Sequence, residues 1–191
     1  MDSDEILIRR IQANNLGALG DIYDRHQRMV FRTALAITGD PEAAADLLQD
    51  VFLRLYRFAR HIDPQRPLEP WLYRMTANLA YTWLKRHNRW TRSLEDLAEK
   101  LTGSRRQAPG ALVELDDSWQ QVRQAILVLP FQQRVVVVLY YLNDLSLREI
   151  ADILDIPEGT VKSRLHYGRQ ALRNQLGEQG DLISELRYEF T

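Results

Sequence analysis

Two short stretches hold most of the residues able to make specific polar contacts. Over 157–176 stand the cations Lys162, Arg164, Arg169 and Arg173 against one acid, Glu158, with Thr160, Ser163, His166 and Tyr167 among them. Over 74–92 stand five cations and no acid, and Asn78, Thr82, His87 and Asn88 are interspersed. Ammonium and guanidinium groups neutralise phosphate, while amide, hydroxyl and imidazole groups hydrogen-bond base edges. That is recognition chemistry rather than bond-breaking chemistry. The four histidines, His26, His61, His87 and His166, are scattered, no HExxH occurs, and there are no cysteines for a thiolate site, a disulfide or a thiol switch. The expectation is a protein that is not an enzyme and takes no metal or cofactor.

The elements that must position these groups follow from local pattern. Residues 145–173, LSLREIADILDIPEGTVKSRLHYGRQALR, read as two helices joined by a tight turn. Ser146 stands three residues before Glu149, the spacing of a capping box. Leu147, Ile150, Ala151 and Leu154 form the buried stripe of the first helix, Asp155 takes the turn, and Pro157 is pre-set for the first turn of the second. Val161 and Leu165 dock the second helix on the first. Glu158, Thr160, Lys162, Ser163, Arg164, His166, Tyr167, Arg169 and Arg173 are then the candidates for a helix-turn-helix face that meets a major groove. The plain alternative is a helical hairpin with a solvated charged face.

The other stretch ends the segment WLYRMTANLAYTWLKRHNRW, dense in Trp and Tyr. Aromatic rings beside cations suit unstacked bases of a single strand. For Trp71, Leu72, Met75, Leu79 and Trp83, burial in a core is the better reading. A core does not need Asn78, Thr82, Lys85, Arg86, His87, Asn88, Arg89 and Arg92, which are the candidates for strand contact.

A net charge of −1 conceals these two basic islands. Acidic surface elsewhere limits indiscriminate binding to polyanions and suits a protein partner. The start, MDSDEILIRR, is acidic where a secretory signal would be basic and then apolar, and no apolar run approaches the roughly 20 residues that span a bilayer. A cytoplasmic protein without membrane insertion is expected.

Punctuation organises the rest. Leu16 to Thr38 reads as a helix ended by Gly39, and Asp40-Pro41-Glu42 opens another to about Phe58. Asp63-Pro64-Gln65-Arg66-Pro67 breaks the chain, and Pro70 starts a third helix reaching about Lys85. Residues 91–111 lose the pattern and read as a linker, with a marginal helix at 94–101. A helix from Asp117 to near Pro130 and another over Phe131 to Leu142 precede the paired helices. VVVV within the latter has strand propensity, but FQQR before it and YYLND after it favour a buried helix.

Two blocks together resemble a known family. DPEAAADLLQDVFLRLYRF followed by WLYRMTANLAYTWLKRHNR, within about Leu19 to Trp90, is similar to region 2 of the extracytoplasmic-function group of bacterial RNA polymerase sigma factors. LPFQQRVVVVLYYLNDLSLREIADILDIPEGTVKSRLHYGRQAL, within about Val113 to Leu176, is similar to region 4. The resemblance implies an all-α chain of two small helical domains: a region 2-like domain over 1–90, a flexible linker over 91–111, a region 4-like helix-turn-helix domain over 112–176 and a tail over 177–191. It implies core RNA polymerase as partner, through the coiled coil of its largest subunit and flap-type contacts, and promoter DNA both as duplex and as melted strand. It also implies an anti-sigma protein.

On that resemblance Asp46, Gln49, Asp50, Leu53 and Arg54 grip the polymerase. Asn78 and the loop Arg86 to Arg89 capture an unstacked minus-10 base, and Lys85, Arg86, Arg89 and Arg92 steady phosphates. Lys162, Ser163, His166, Tyr167 and Arg169 read the minus-35 duplex. Tyr167 departs from the pattern, since many members carry arginine there; apolar contact with a thymine methyl or a water bridge are its alternatives. The tail GEQGDLISELRYEFT carries a weak apolar stripe and a net charge of −3, and reads as a free end, a packing helix or a partner-binding segment. The rival to a sigma factor is a stand-alone helix-turn-helix repressor or activator, which needs no polymerase and often binds as a dimer.

Overall fold

The computed structural model describes the backbone of residues 2–101 and 117–176 and the side chains of 2–87 and 120–176. Helices α1 (Asp4–Gln12), α2 (Leu16–Thr38), α3 (Pro41–Phe58) and α4 (Glu69–Leu101) form a first group, with a 3-10 turn at Ala59–His61 between the last two. Helices α5 (Asp117–Val128), α6 (Phe131–Tyr141), α7 (Leu147–Leu154) and α8 (Glu158–Leu176) form a second. No strand occurs among the described residues, and VVVV lies inside α6 with all four valines buried. The chain is all-α, as expected.

Local chemistry accounts for the boundaries. The Asp40 carboxylate accepts from the amides of Glu42 and Ala43 and opens α3, with Pro41 in its first turn. Gly39 closes α2 in the left-handed region at φ 74°, where a β-carbon would also lie 2.6 Å from Leu127 Cδ1. Gly39→Ala is therefore expected to cost about 1–2 kcal/mol through the left-handed backbone alone. Urea denaturation checks this; an unchanged midpoint would contradict it.

Two elements depart from expectation. Helix α1 was not anticipated, yet Ser3 caps it and Leu7, Ile8 and Ile11 are each at most 2% exposed. Its apolar residues are few, but α2 and the 3-10 turn at Ala59–His61 give them a surface to bury against. Helix α4 runs to Leu101 rather than ending near Lys85, so residues 91–101 of the expected linker are helical. No glycine or proline interrupts the chain from Trp71 to Thr102, and polar residues do not end a helix by themselves. Residues 102–116 and 177–191, which hold the rest of the linker and the tail, lie outside the described residues.

The core of the first group centres on Ile22, Ile37, Leu55, Leu68 and Leu72, that of the second on Leu129, Leu139, Ile150, Ile153 and Leu172, all essentially sealed from solvent. Leu72 and Leu79 are buried as expected, while Trp71, Met75 and Trp83 are half-buried at the core's edge. In α7, Ile150 and Ala151 are buried, but Leu147 and Leu154 are only half-buried and Ile153 takes the third buried place. Asp4 joins the first turn of α1 to α2 by accepting from Arg25 and bonding His26 Nε2 at 2.8 Å. Glu69 also approaches, so that ligand atoms of Asp4, His26 and Glu69 lie within 4.8 Å of one another; the cation already on Asp4 makes this an ion-pair tie between helices.

The two groups are docked. Asn143 donates to Thr33 Oγ1 at 3.1 Å. Arg134 Nη1 donates to Ile37 O at 2.7 Å and Arg123 Nη2 to Gly39 O at 2.8 Å, so both cations sit on the C-terminal carbonyls of α2. Desolvation by burial lowers the Arg134 pKa without discharging it. On the other side, Arg74 Nε donates to Ile153 O at 2.6 Å, at the end of α7, and Tyr81 packs on Phe131 with ring centroids 4.9 Å apart.

Candidate nucleic-acid and protein interfaces

Helix α8 is held in place from its inner side. Ser146 Oγ accepts from the Glu149 amide at 3.3 Å while Glu149 Oε2 accepts from the Ser146 amide at 2.8 Å, the reciprocal cap that starts α7. Hydrogen bonds from the Ser146 hydroxyl and then from its amide hold the Glu149 carboxyl below its ordinary pKa. Asp155 turns the chain at φ 55°, and the Pro157 carbonyl accepts from the Thr160 and Val161 amides just ahead of α8. Val161, Leu165, Gly168 and Leu172 then face inward. A β-carbon on Gly168 would lie 2.8 Å from Val137 Cγ2, so α8 approaches α6 as closely as glycine permits.

The outer side carries Ser163, His166, Tyr167 and Gln170, exposed and spaced by three or four residues. Tyr167 is 57% exposed, with His166 edge-on at 5.5 Å. Gln170 was missed by sequence reasoning, although its spacing from His166 and Tyr167 was a sufficient signal. Glu158, Lys162 and Arg173 are exposed, whereas Thr160 and Arg164 are half-buried. Lys162 pairs with Glu158 at 2.9 Å; both side chains are largely exposed, so the pair contributes little and leaves Lys162 able to exchange partners. Ser163 Oγ donates back to Thr160 O.

Arg169 departs from the expected outward role. Its Nε donates to Tyr141 Oη at 2.6 Å, and its guanidinium carbon lies 5.2 and 5.3 Å from the Tyr140 and Tyr141 ring centroids. A planar cation satisfied by two rings and a hydroxyl belongs to the α6–α8 contact. Arg169→Ala is thus expected to leave the salt dependence of duplex binding at its wild-type slope, while Lys162→Ala lowers the slope by about 1. Titrations at several salt concentrations decide; a slope lowered equally by both would put Arg169 back on phosphate.

On α4, Asn78, Thr82, Lys85, Arg86 and His87 are all exposed. Thr82 turns its hydroxyl to its own helix, donating to Asn78 O at 2.9 Å, and His87 stacks on Trp83 with centroids 4.8 Å apart at 13°. The side chains of Asn88, Arg89 and Arg92 lie outside the described residues. Asn78 and Lys85 share a face with Arg74 and Tyr81, at spacings of three, four and seven residues.

Helix α3 presents a third surface. Asp46, Gln49, Asp50, Leu53 and Arg54 are all exposed, on the side away from Leu47, Leu48, Val51 and Leu55. Leu53 is 51% exposed, and Tyr56, which sequence reasoning did not single out, extends the same side at 37%. An apolar centre rimmed by charge is the composition of a protein interface.

Two family models cover the helices that carry these surfaces. The family model described as Sigma-70 region 2 matches residues 22–90, and that described as Sigma-70, region 4 matches residues 119–172. The chain is 36% identical over 177 residues to the ECF RNA polymerase sigma factor SigW of Bacillus subtilis, covering 88% of this chain and 94% of that protein. It is 28% identical over 185 residues to the ECF RNA polymerase sigma-E factor of Escherichia coli, covering 91% and 94%. Among solved structures, CnrH in complex with the cytosolic domain of CnrY has the same fold, with a TM-score of 0.66 at 22% identity over 92% of this chain and 97% of that one. The sigma factor RpoE of Bartonella quintana, in complex with the anti-sigma factor NepR, gives 0.62 at 20% identity over 83% and 98%.

Proposed function

The chain belongs to the extracytoplasmic-function family of sigma-70 RNA polymerase sigma factors, and from that membership we propose how its exposed surfaces divide the work. As a member it binds core RNA polymerase, directs it to promoters and assists their opening; a stand-alone repressor or activator is not favoured, because both blocks match in order. Sigma factors are initiation factors without bond chemistry of their own.

In our reading α3 docks on the polymerase through Asp46, Gln49, Asp50, Leu53 and Arg54, with Tyr56 added. Helix α4 holds the melted minus-10 strand through Asn78, with Lys85, Arg86, Arg89 and Arg92 on its phosphates. Helix α8 reads the minus-35 duplex through Ser163, His166, Tyr167 and Gln170, with Lys162 and Arg173 on the backbone. Arg169 positions the helix. The observation that carries this reading is that one chain exposes three separate faces of different character on α3, α4 and α8. Strand trapping supplies the free energy of opening, since contacts to unstacked bases, about 1–3 kcal/mol each, offset the lost stacking. We include an anti-sigma protein among the partners, supported by the anti-sigma complex of the Bartonella relative. No helix among the described residues is long and apolar enough to cross a membrane, and we read the chain as acting in the cytoplasm.

Run-off transcription with purified core polymerase on fragmented genomic DNA tests the whole reading. Discrete transcripts that depend on this chain are expected; transcripts no different from those of core polymerase alone would overturn it.

A further inference from the structure

The second helical group leaves an apolar strip uncovered on α5. Gln121, Gln124 and Val128 follow one another there at three- and four-residue spacing, all exposed, with Ala125 buried beneath them. Val128 is 69% exposed, more than any other large apolar side chain among the described residues. The opposite side of α5 is already buried through Val122 and Leu129, so nothing within the group is left to cover Val128. The end of α8 runs alongside, and its Gln175 and Leu176 complete the wall of a groove of about 560 Å³. The groove has an apolar floor and a rim of neutral amides, and neither an acid nor a cation lines it.

The chain continues from that wall for 15 residues, GEQGDLISELRYEFT, to which no role has yet been given. Leu182, Ile183, Leu186 and Phe190 stand at i, i+1, i+4 and i+8, the spacing of one helical face, and Asp181 just before them is a favoured N-cap residue. From Leu182 to Phe190 a helix rises about 12 Å, the same length as α5 offers from Gln120 to Val128. Residues 177–180 can span about 13 Å between wall and cap, and Gly177 and Gly180 let the chain turn back. The tail's net charge of −3 meets no like charge in the groove lining, and Arg173 is exposed one turn before Leu176. We propose that the groove between α5 and the end of α8 is the docking site of the chain's own residues 181–190, whose apolar stripe covers Val128. The tether decides for this occupant: a segment joined by four residues meets the groove at an effective concentration in the millimolar range, so contacts too weak to hold a free peptide suffice. An apolar helix of another protein that uses the groove then has to displace the tail.

Hydrogen exchange of the full chain, read by mass spectrometry, tests the docking. Amides over 182–190 and over 121–128 are expected to exchange about fivefold or more slowly in wild type than in the double variant Leu182→Asp with Leu186→Asp. Val128→Asp, which leaves the tail's own sequence intact, is expected to release the tail amides to the same extent. Val128 is exposed, so this change disturbs little of the fold, and circular dichroism together with unchanged exchange in α2 and α3 verifies that. Tail amides that exchange in wild type as fast as those of an unstructured peptide would overturn the proposal. So would tail protection that Val128→Asp leaves untouched. Protection lost on dilution would put the tail of a second copy in the groove, and protection of α5 that arises only when core polymerase is added would give the groove to the polymerase. Either result overturns docking within one chain.

Discussion

Leu53→Asp is expected to lower promoter-dependent run-off transcription about 30-fold at limiting protein, while helical content and thermal midpoint stay near wild type. Leu53 is half-exposed on α3, outside the core formed by Leu47, Leu48, Val51 and Leu55, so a carboxylate there disturbs little of the fold. Within a protein interface, by contrast, the same change removes an apolar anchor and buries an unpaired charge. Losses of about 2 kcal/mol are usual for a central contact, which is about 30-fold in affinity. A second expectation separates affinity from inactivation: raising the protein concentration recovers most of the signal. Asp46→Ala and Asp50→Ala, at the rim, are expected to change association rate and salt dependence more than residence time and to give smaller losses. Wild-type transcription by Leu53→Asp at every concentration would remove α3 from the polymerase interface.

Asn78→Ala is expected to reduce transcription from a fully duplex template about tenfold or more, and from a template already melted around minus 10 by much less. Asn78 is exposed, and no core contact explains an amide at that place on α4. Its side chain offers two donors and an acceptor, enough to hydrogen-bond the edge of an unstacked base. A lost contact of about 1–2 kcal/mol raises the barrier to opening by a similar amount, whereas a pre-melted template has already met the cost of unstacking. Initial duplex binding, which the proposed division of work assigns to α8, is expected to be unchanged in a mobility shift. Wild-type activity on both templates would refute the assignment, and an equal loss on both would place Asn78 in polymerase binding instead.

Both variants act at positions that sequence reasoning could reach, because each depends on local periodicity. A residue three or four places from other exposed polar residues, on a helix whose opposite side is apolar, lies on the outside whatever the helix packs against. That logic found α3, α6, the Ser146–Glu149 cap and the left-handed turn at Asp155. It failed at α1, whose three buried residues gain a partner only once α2 and the 3-10 turn at Ala59–His61 are in place, and at the end of α4, expected near Lys85 although no breaker stands there. It also placed Leu147 and Leu154 deeper than Ile153, since a helix of eight residues has too few turns to show which side its neighbours cover.

The family resemblance reached further than periodicity, to the polymerase and to two promoter elements, because motif order is carried by the chain itself. It was silent on side chains whose partners are remote in sequence. Arg169 is a cation on the helix assigned to the groove, and nothing in its neighbours predicts the tyrosine pair that holds it, 28 residues earlier. Arg74 belongs to a basic island by composition, yet its donors end on a helix terminus 79 residues away. Burial and exposure on the longer helices α3 and α4 were therefore largely legible from sequence, since they follow from a period of about 3.6 residues. Which cations are free for nucleic acid, and that the two helical groups close over α4, were decided only by the tertiary structure, because carbonyls at helix ends become partners only when the helices have been brought together.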